Sequence, residues 1–200
     1  MTDSRRLLLA TNNPGKVREF RRLLAGSGFE VVTPGEIGLT LDVEETGASY
    51  ADNAILKAVA FATAGDCLAL ADDSGIEVDA LGGAPGMFSA RFGGPGLDDE
   101  GRTALLLQKL EGVADGRRTA RYRAVVALAT ATGEPQCFEG VQEGAIARAP
   151  KGTGGFGYDP VFLVDGVRAQ AEISDAEKDQ ISHRGKAVRA AIRWLAEQSR

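Results

Sequence analysis

Four stretches of this 200-residue chain combine residue types that could act on a phosphorylated ligand. In Thr11-Asn12-Asn13-Pro14-Gly15-Lys16 an apolar strand hands over to a helix. Free N–H groups and the helix dipole favour an anion there, and Lys16 adds a point charge, which gives a phosphate site a physical basis. The same residues also suit an ordinary capped turn. The second group is acidic: Glu44-Glu45 after one apolar run and Asp72-Asp73 after another, Cys67 to Ala71. Hard oxygen ligands suit Mg²⁺, which keeps several waters and shares coordination with substrate phosphates. Adjacent strand residues point to opposite faces, so Asp72 and Asp73 cannot grip one ion while the strand stays regular.

The third stretch, Gly152-Thr153-Gly154-Gly155-Phe156-Gly157, matches the spacing of a dinucleotide fingerprint. That motif must open a helix. Here Tyr158-Asp159-Pro160 follows, and proline biases Asp159 towards extended backbone. A flexible loop that presents Phe156 to a ligand and a glycine-rich turn whose aromatic residues fill core both fit. The fourth, Lys178-Asp179-Gln180-Ile181-Ser182-His183-Arg184, holds the only histidine. One histidine cannot build a multi-histidine metal site, and no nucleophile signature accompanies it. It reads as a binding segment or as a solvated helix start capped by Ser182.

The elements that must position these residues follow from periodicity. Residues 5–11 read as a strand. Asn13 and Pro14 start a helix with Val17, Phe20, Leu23 and Leu24 on one face. Phe29 to Thr33 reads as a second strand, and Leu39, Leu41 and Val43 alternate like a third. Ser49 with Asp52 resembles a capping box for a helix over 50–64, closed by Gly65. Strands at 67–72 and 76–81, a helix at 98–110, strands at 119–130, 136–142, 144–148 and 161–164, and a final helix at 183–197 complete the pattern. Early alternation of strands and helices with later clustering of strands predicts an α/β protein with a mixed sheet.

Composition narrows the function. Twenty-eight acidic residues against 23 basic ones give a net charge of −5, which opposes the phosphate attraction of nucleic-acid binders. The apolar run after Met1-Thr2-Asp3-Ser4 is short for a signal peptide and nothing later could span a bilayer, so a cytoplasmic protein without a membrane partner is expected. Cys67 and Cys137 lack metal-ligand spacing and read as core thiols. The 44% apolar content suffices for a normal core. No Walker A sequence occurs.

Taken in order, "ATNNPGKVREF", "EETGASYADNAILKA", "ALADDSGIEVDALGGAPGMFSARF", "GTGGFGYDPVF" and "EKDQISHRGKA" resemble the noncanonical purine nucleoside triphosphate pyrophosphatases, the inosine and xanthosine triphosphate house-cleaning enzymes. The resemblance runs from about residue 7 to 195. It implies one domain over 1–200 with two lobes, an elongated mixed sheet flanked by helices, a central substrate cleft and a homodimer. It also implies Mg²⁺-dependent hydrolysis of a nucleoside triphosphate to monophosphate and pyrophosphate. Carried over by motif, Thr11, Asn12, Asn13, Pro14, Gly15 and Lys16 would bind phosphates, Lys16 would assist catalysis, and Asp73 would be the general base. Glu44 and Asp73 would hold magnesium, with Glu45 and Asp72 as alternatives. Ser74, Phe156, Gly157, Tyr158, Asp159, Lys178, His183 and Arg184 would contact substrate. A Maf-like pyrophosphatase for other nucleotides and a non-catalytic nucleotide-binding protein are the competing readings. The base-contact segments 152–159 and 178–184 argue against the first, and the full set of carboxylates against the second.

Overall fold

A computed structural model describes residues 5–198 of the chain, so Met1-Thr2-Asp3-Ser4 lies outside the described residues. Six strands form one sheet in the order β2-β1-β3-β4-β5-β6, where β1 is Arg5–Leu9, β2 Phe29–Val32, β3 Leu68–Val78, β4 Thr119–Ala129, β5 Gln136–Ile146 and β6 Phe162–Leu163. β1 lies parallel to both β2 and β3, with Leu7 beside Val31 and Leu68, while β5 and β6 are antiparallel. The sheet is therefore mixed, as the element pattern predicts. The helices are α1 Pro14–Leu23, α2 Tyr50–Gly65, α3 Asp99–Lys109, α4 Asp175–Ile181 and α5 His183–Gln198.

The chain divides into two compact units. The first holds the residues up to Asp73, Ala124–Gly140 and the chain from Arg184 on; the second holds Ser74–Arg123 and Val141–His183. β1 is central in its sheet neighbourhood and its Leu7, Leu8 and Leu9 are fully buried, which explains an unbroken apolar run rather than alternation. Leu7, Leu9 and Leu70 pack with Phe20 of α1 and its C-cap Leu24, Val126 and Leu128 of β4, and Ala187, Val188 and Ala191 of α5. The second unit has its own core of Ile76, Val78, Leu106, Leu110, Tyr122, Ile146, Tyr158, Val161 and Phe162.

Several local expectations are corrected. The Asp72-Asp73 pair does not end a strand: β3 continues through Ser74 and Gly75 to Val78. Gly75 is needed there because a Cβ would come within 2.1 Å of the Gly86 carbonyl oxygen, a close backbone approach that reads in sequence as a break. Residues 136–142 and 144–148 are likewise not two strands, since β5 runs unbroken from Gln136 to Ile146. Leu39, Leu41 and Val43 form no strand, although their side chains alternate in burial with Thr40 and Asp42. Gly65 is the last residue of α2, and the left-handed cap is Asp66. Cys67 is half-buried and Cys137 exposed, so neither is a core thiol. Among the described residues no helix is long and apolar enough to cross a membrane.

Candidate active site

The β1–α1 junction folds as its sequence suggests. Asn13 caps α1, and its Oδ1 accepts the N–H groups of Gly15 at 2.8 Å and Lys16 at 3.1 Å, while the Thr11 hydroxyl accepts the N–H of Asn13. Pro14 has no N–H, and that of Val17 returns to the Asn13 carbonyl. The donors of the first turn are thus largely taken, and the charge that an anion would meet is that of the Lys16 side chain. Asn12, Asn13 and Pro14 are exposed beside it.

Lys16, itself half-buried, belongs to a chain of otherwise buried ions. Its Nζ is 2.8 Å from Asp72 Oδ1, Arg184 Nε donates to Asp72 Oδ2 at 3.0 Å, and Arg184 Nη1 donates to Glu19 Oε2 at 3.0 Å. Glu19 lies on the inner face of α1, and Arg184 stands in the first turn of α5. Burial opposes ionisation of Asp72, but the Lys16 ammonium and the Arg184 guanidinium outweigh it and hold this carboxyl well below the usual carboxylate range. Arg184 is raised in turn: burial works against its charge, and Asp72 and Glu19 more than offset this. Burial draws the Lys16 ammonium down from its ordinary value, with Asp72 opposing.

Asp73 has different company. Asn53 Nδ2 donates to its Oδ2 at 3.0 Å, and Lys57 Nζ lies 4.0 Å from its Oδ1 while holding Glu45 Oε1 at 2.6 Å. Burial raises the Asp73 carboxyl above its ordinary value and the nearby Glu45 adds to this; Lys57, Asn53 and Lys16 oppose. Glu45 is half-buried and turned towards this group, whereas Glu44 is exposed. Among the described residues no three His, Cys, Asp or Glu side chains cluster closely enough to hold a metal alone. The pair Asp73 and Glu45, sharing one ammonium, is a donor set that fits a hard cation completing its shell with water and phosphate oxygens. Ser74 follows in β3, half-buried.

The second unit gathers the other expected residues around one buried carboxylate. Asp159 Oδ2 accepts from Lys178 Nζ at 2.6 Å and from the Phe156 N–H at 3.0 Å; its Oδ1 accepts from Gln170 Nε2 at 2.8 Å and the Tyr122 hydroxyl at 3.2 Å. Lys178 Nζ also lies 5.2 Å from the centroid of the half-buried Phe156 ring. The His183 imidazole stacks on Tyr122, with centroids 4.6 Å apart and planes at 12°. Asp99 and Thr103 of α3 reach the backbone of Gly157, Asp99 Oδ2 accepting its N–H at 2.9 Å. Tyr158 faces the core, and its hydroxyl donates to the Ser89 carbonyl at 2.8 Å. Segment 178–184 is thus no solvated helix start: Lys178, Ser182, His183 and Arg184 are buried, and Ser182 ends α4. Residues 152–157 open no α-helix, in line with the sequence argument against a dinucleotide fingerprint, but Asp159–Val161 form a 3-10 turn where extended backbone and a strand from 161 were expected, and β6 is only Phe162–Leu163.

Sequence reasoning missed Asn53, Lys57, Glu19, Tyr122 and Gln170. A signal existed for the first two. The buried stripe of α2 is Tyr50, Asn53, Ala54, Ala58, Phe61 and Ala62, and Lys57 falls one turn after Asn53, so two polar groups interrupt a stripe otherwise apart from Tyr50 apolar.

The chain belongs to the Ham1 family, whose model matches residues 7–194. It is 52% identical over 191 residues to a dITP/XTP pyrophosphatase of Desulforamulus reducens, covering 95% of each chain. It is 44% identical over 189 residues to a dITP/XTP pyrophosphatase of Bacillus subtilis, covering 94% of this chain and 96% of that one. Its fold matches the solved structure of the Staphylococcus aureus Ham1 protein with a TM-score of 0.85 at 37% identity, covering 97% of this chain and 100% of that one.

Proposed function

We propose that this protein hydrolyses noncanonical purine nucleoside triphosphates, dITP, ITP and XTP, to the monophosphate and pyrophosphate. The observation that carries the chemistry is the contrast between two adjacent carboxylates: Asp72 is neutralised by Lys16 and Arg184, whereas Asp73 is made more basic by burial and has Oδ1 4.0 Å from Lys57, which also holds Glu45. The nearly full-length dITP/XTP pyrophosphatase relatives support the substrate class.

Water is a weak nucleophile and a triphosphate repels it, so the reaction needs cations on the phosphate oxygens and a carboxylate for the water. Asp73 orients the water and accepts its proton as the water oxygen attacks phosphorus; the bridging P–O bond breaks and pyrophosphate leaves. Lys16 and Lys57 supply fixed positive charge to the phosphates, with Thr11, Asn12, Asn13, Pro14 and Gly15 shaping the approach to Lys16. Asp73 and Glu45 would hold a divalent cation, Mg²⁺ by the chemistry of the donors; when bound it supplies charge neutralisation at the phosphates. Arg184 holds Asp72 and Glu19 in place.

Other residues suit a purine base. Phe156 offers a ring face for stacking, and Lys178 and His183 offer donors that a 6-oxo purine satisfies and a 6-amino purine leaves unpaired. Gly157, Tyr158 and Asp159 set the position of that ring and of Lys178, and Ser74 contributes its hydroxyl at the start of the second unit. The experiment is a product analysis: XTP and dITP incubated with the protein and Mg²⁺ yield monophosphate and pyrophosphate in equal amounts. Orthophosphate as the first product would overturn the reading.

A further inference from the structure

Asn53 joins two segments that carry the carboxylates of the candidate site. Its side chain is 1% exposed. Nδ2 donates to Asp73 Oδ2 at 3.0 Å and Oδ1 accepts the Gly47 N–H at 2.8 Å, so each end of the amide has a defined partner. Gly47 lies against this amide so tightly that a Cβ would come within 2.5 Å of Asp52 Cβ and 2.7 Å of Asn53 Oδ1. Two residues before Gly47 is Glu45, whose carboxylate meets Lys57 one turn further along α2. One helix face thus ties the 44–47 loop to Asp73 twice, through a neutral amide and through an ammonium.

We propose that Asn53 is a positioning residue of the hydrolytic site: its amide fixes the Glu45 loop relative to the Asp73 carboxylate. This rests on the reading of Asp73 as the base. Residue type matters because the carboxamide donates to Asp73 from its nitrogen and accepts from Gly47 at its oxygen. Aspartate at 53 would still accept from Gly47 but would set a second negative charge against Asp73. Alanine would leave a buried N–H and one carboxylate oxygen without their partner. Groups that orient the ligands of a metal typically change affinity or activity by ~10–100-fold when removed.

The test uses the full chain and the variants Asn53→Ala and Asn53→Asp, with folding checked by circular dichroism and thermal melting. Steady-state kinetics on XTP with Mg²⁺ give kcat and KM. Mn²⁺ binding is followed by electron paramagnetic resonance in the presence of the α,β-methylene analogue of dITP, which keeps the phosphates but lacks the scissile oxygen. We expect kcat to fall ~10–100-fold in both variants with KM changed far less, and Mn²⁺ affinity to weaken by a similar factor in Asn53→Ala, which adds no charge. Asn53→Asp keeps size and the Gly47 contact and turns the Asp73 contact into a repulsion; where that buried charge prevents folding, Asn53→Ala carries the test. Wild-type kcat and Mn²⁺ binding in Asn53→Ala overturn the proposal. Asp73→Asn, run alongside, separates the two failures: if it is inactive while Asn53→Ala is normal, the base reading stands and the role of Asn53 falls. If Asp73→Asn is itself active, the base reading falls.

Discussion

Asp72 and Asp73 are neighbours on one regular strand, and their carboxylates face different partners: Asp72 lies between Lys16 and Arg184, and Asp73 lies against Asn53 and Lys57. The period of the strand enforces the separation. The same one-residue step gives one carboxyl depressed by fixed cations and one raised by burial, and such opposed environments let one carboxylate serve structure while the other does chemistry.

Asp73→Asn retains the size of the side chain and loses the proton acceptor. Its kcat on XTP is expected to fall by ~10²–10⁴, the range of general-base catalysis, with the melting temperature close to that of wild type. Steady-state kinetics with calorimetry on the same preparation checks both halves.

Arg184→Leu removes the cation shared by Asp72 and Glu19 and leaves buried carboxylates under-compensated. Loss of one partner of a buried ion pair costs about 3–5 kcal/mol, so this variant unfolds at clearly lower urea concentration than wild type. Lys16→Met, which leaves the Arg184 contact to Asp72 intact, destabilises less but lowers turnover more.

Acid stability follows from Asp72. Its folded value lies below the unfolded one of about 3.9, so its ionised form stabilises the fold at all pH above that value, and the contribution is lost as pH falls through the depressed folded value. Asp73 has the opposite sign, because burial raises it and protonation relieves that cost. The melting temperature of wild type should therefore drop below about pH 4, and that of Asp72→Asn, which has lost the stabilising pair at neutral pH already, should drop less. Melting curves across acid pH decide this.

Asp159→Asn tests the hub of the second unit. An amide cannot accept all four of the contacts from Tyr122, Phe156, Gln170 and Lys178, and it removes the Asp159 charge that Lys178 meets at 2.6 Å. The expected result is a raised KM for XTP together with weakened discrimination against ATP, measured by competition kinetics.

Much of this was legible in sequence where the signal is local. Asn13 with Pro14 and Ser49 marked the starts of α1 and α2, because caps act within a few residues. β1 was legible because a strand buried on both faces is apolar throughout. The places where reading failed share one cause: the deciding partner is distant in sequence. Gly75 looked like a break because its neighbour is the backbone of Gly86. The segment from Lys178 to Arg184 looked solvated because Asp159, Tyr122 and Asp72, which receive its charges and ring, lie elsewhere in the chain. The resemblance puts Glu44 ahead of Glu45, whereas in the structure Glu44 is exposed and Glu45 is the one half-buried against Lys57, a partner twelve residues on. Charged residues are expected outside, and only their tertiary partners show when they are not.

The central claim is selective hydrolysis of purine triphosphates that carry a 6-oxo group, and the most direct measurement is kcat/KM for XTP, dITP and ATP with Mg²⁺, each read by release of pyrophosphate. Donors left unpaired by a 6-amino group should reject ATP by up to ~10⁴-fold relative to XTP. Comparable kcat/KM values for ATP and XTP would contradict the account.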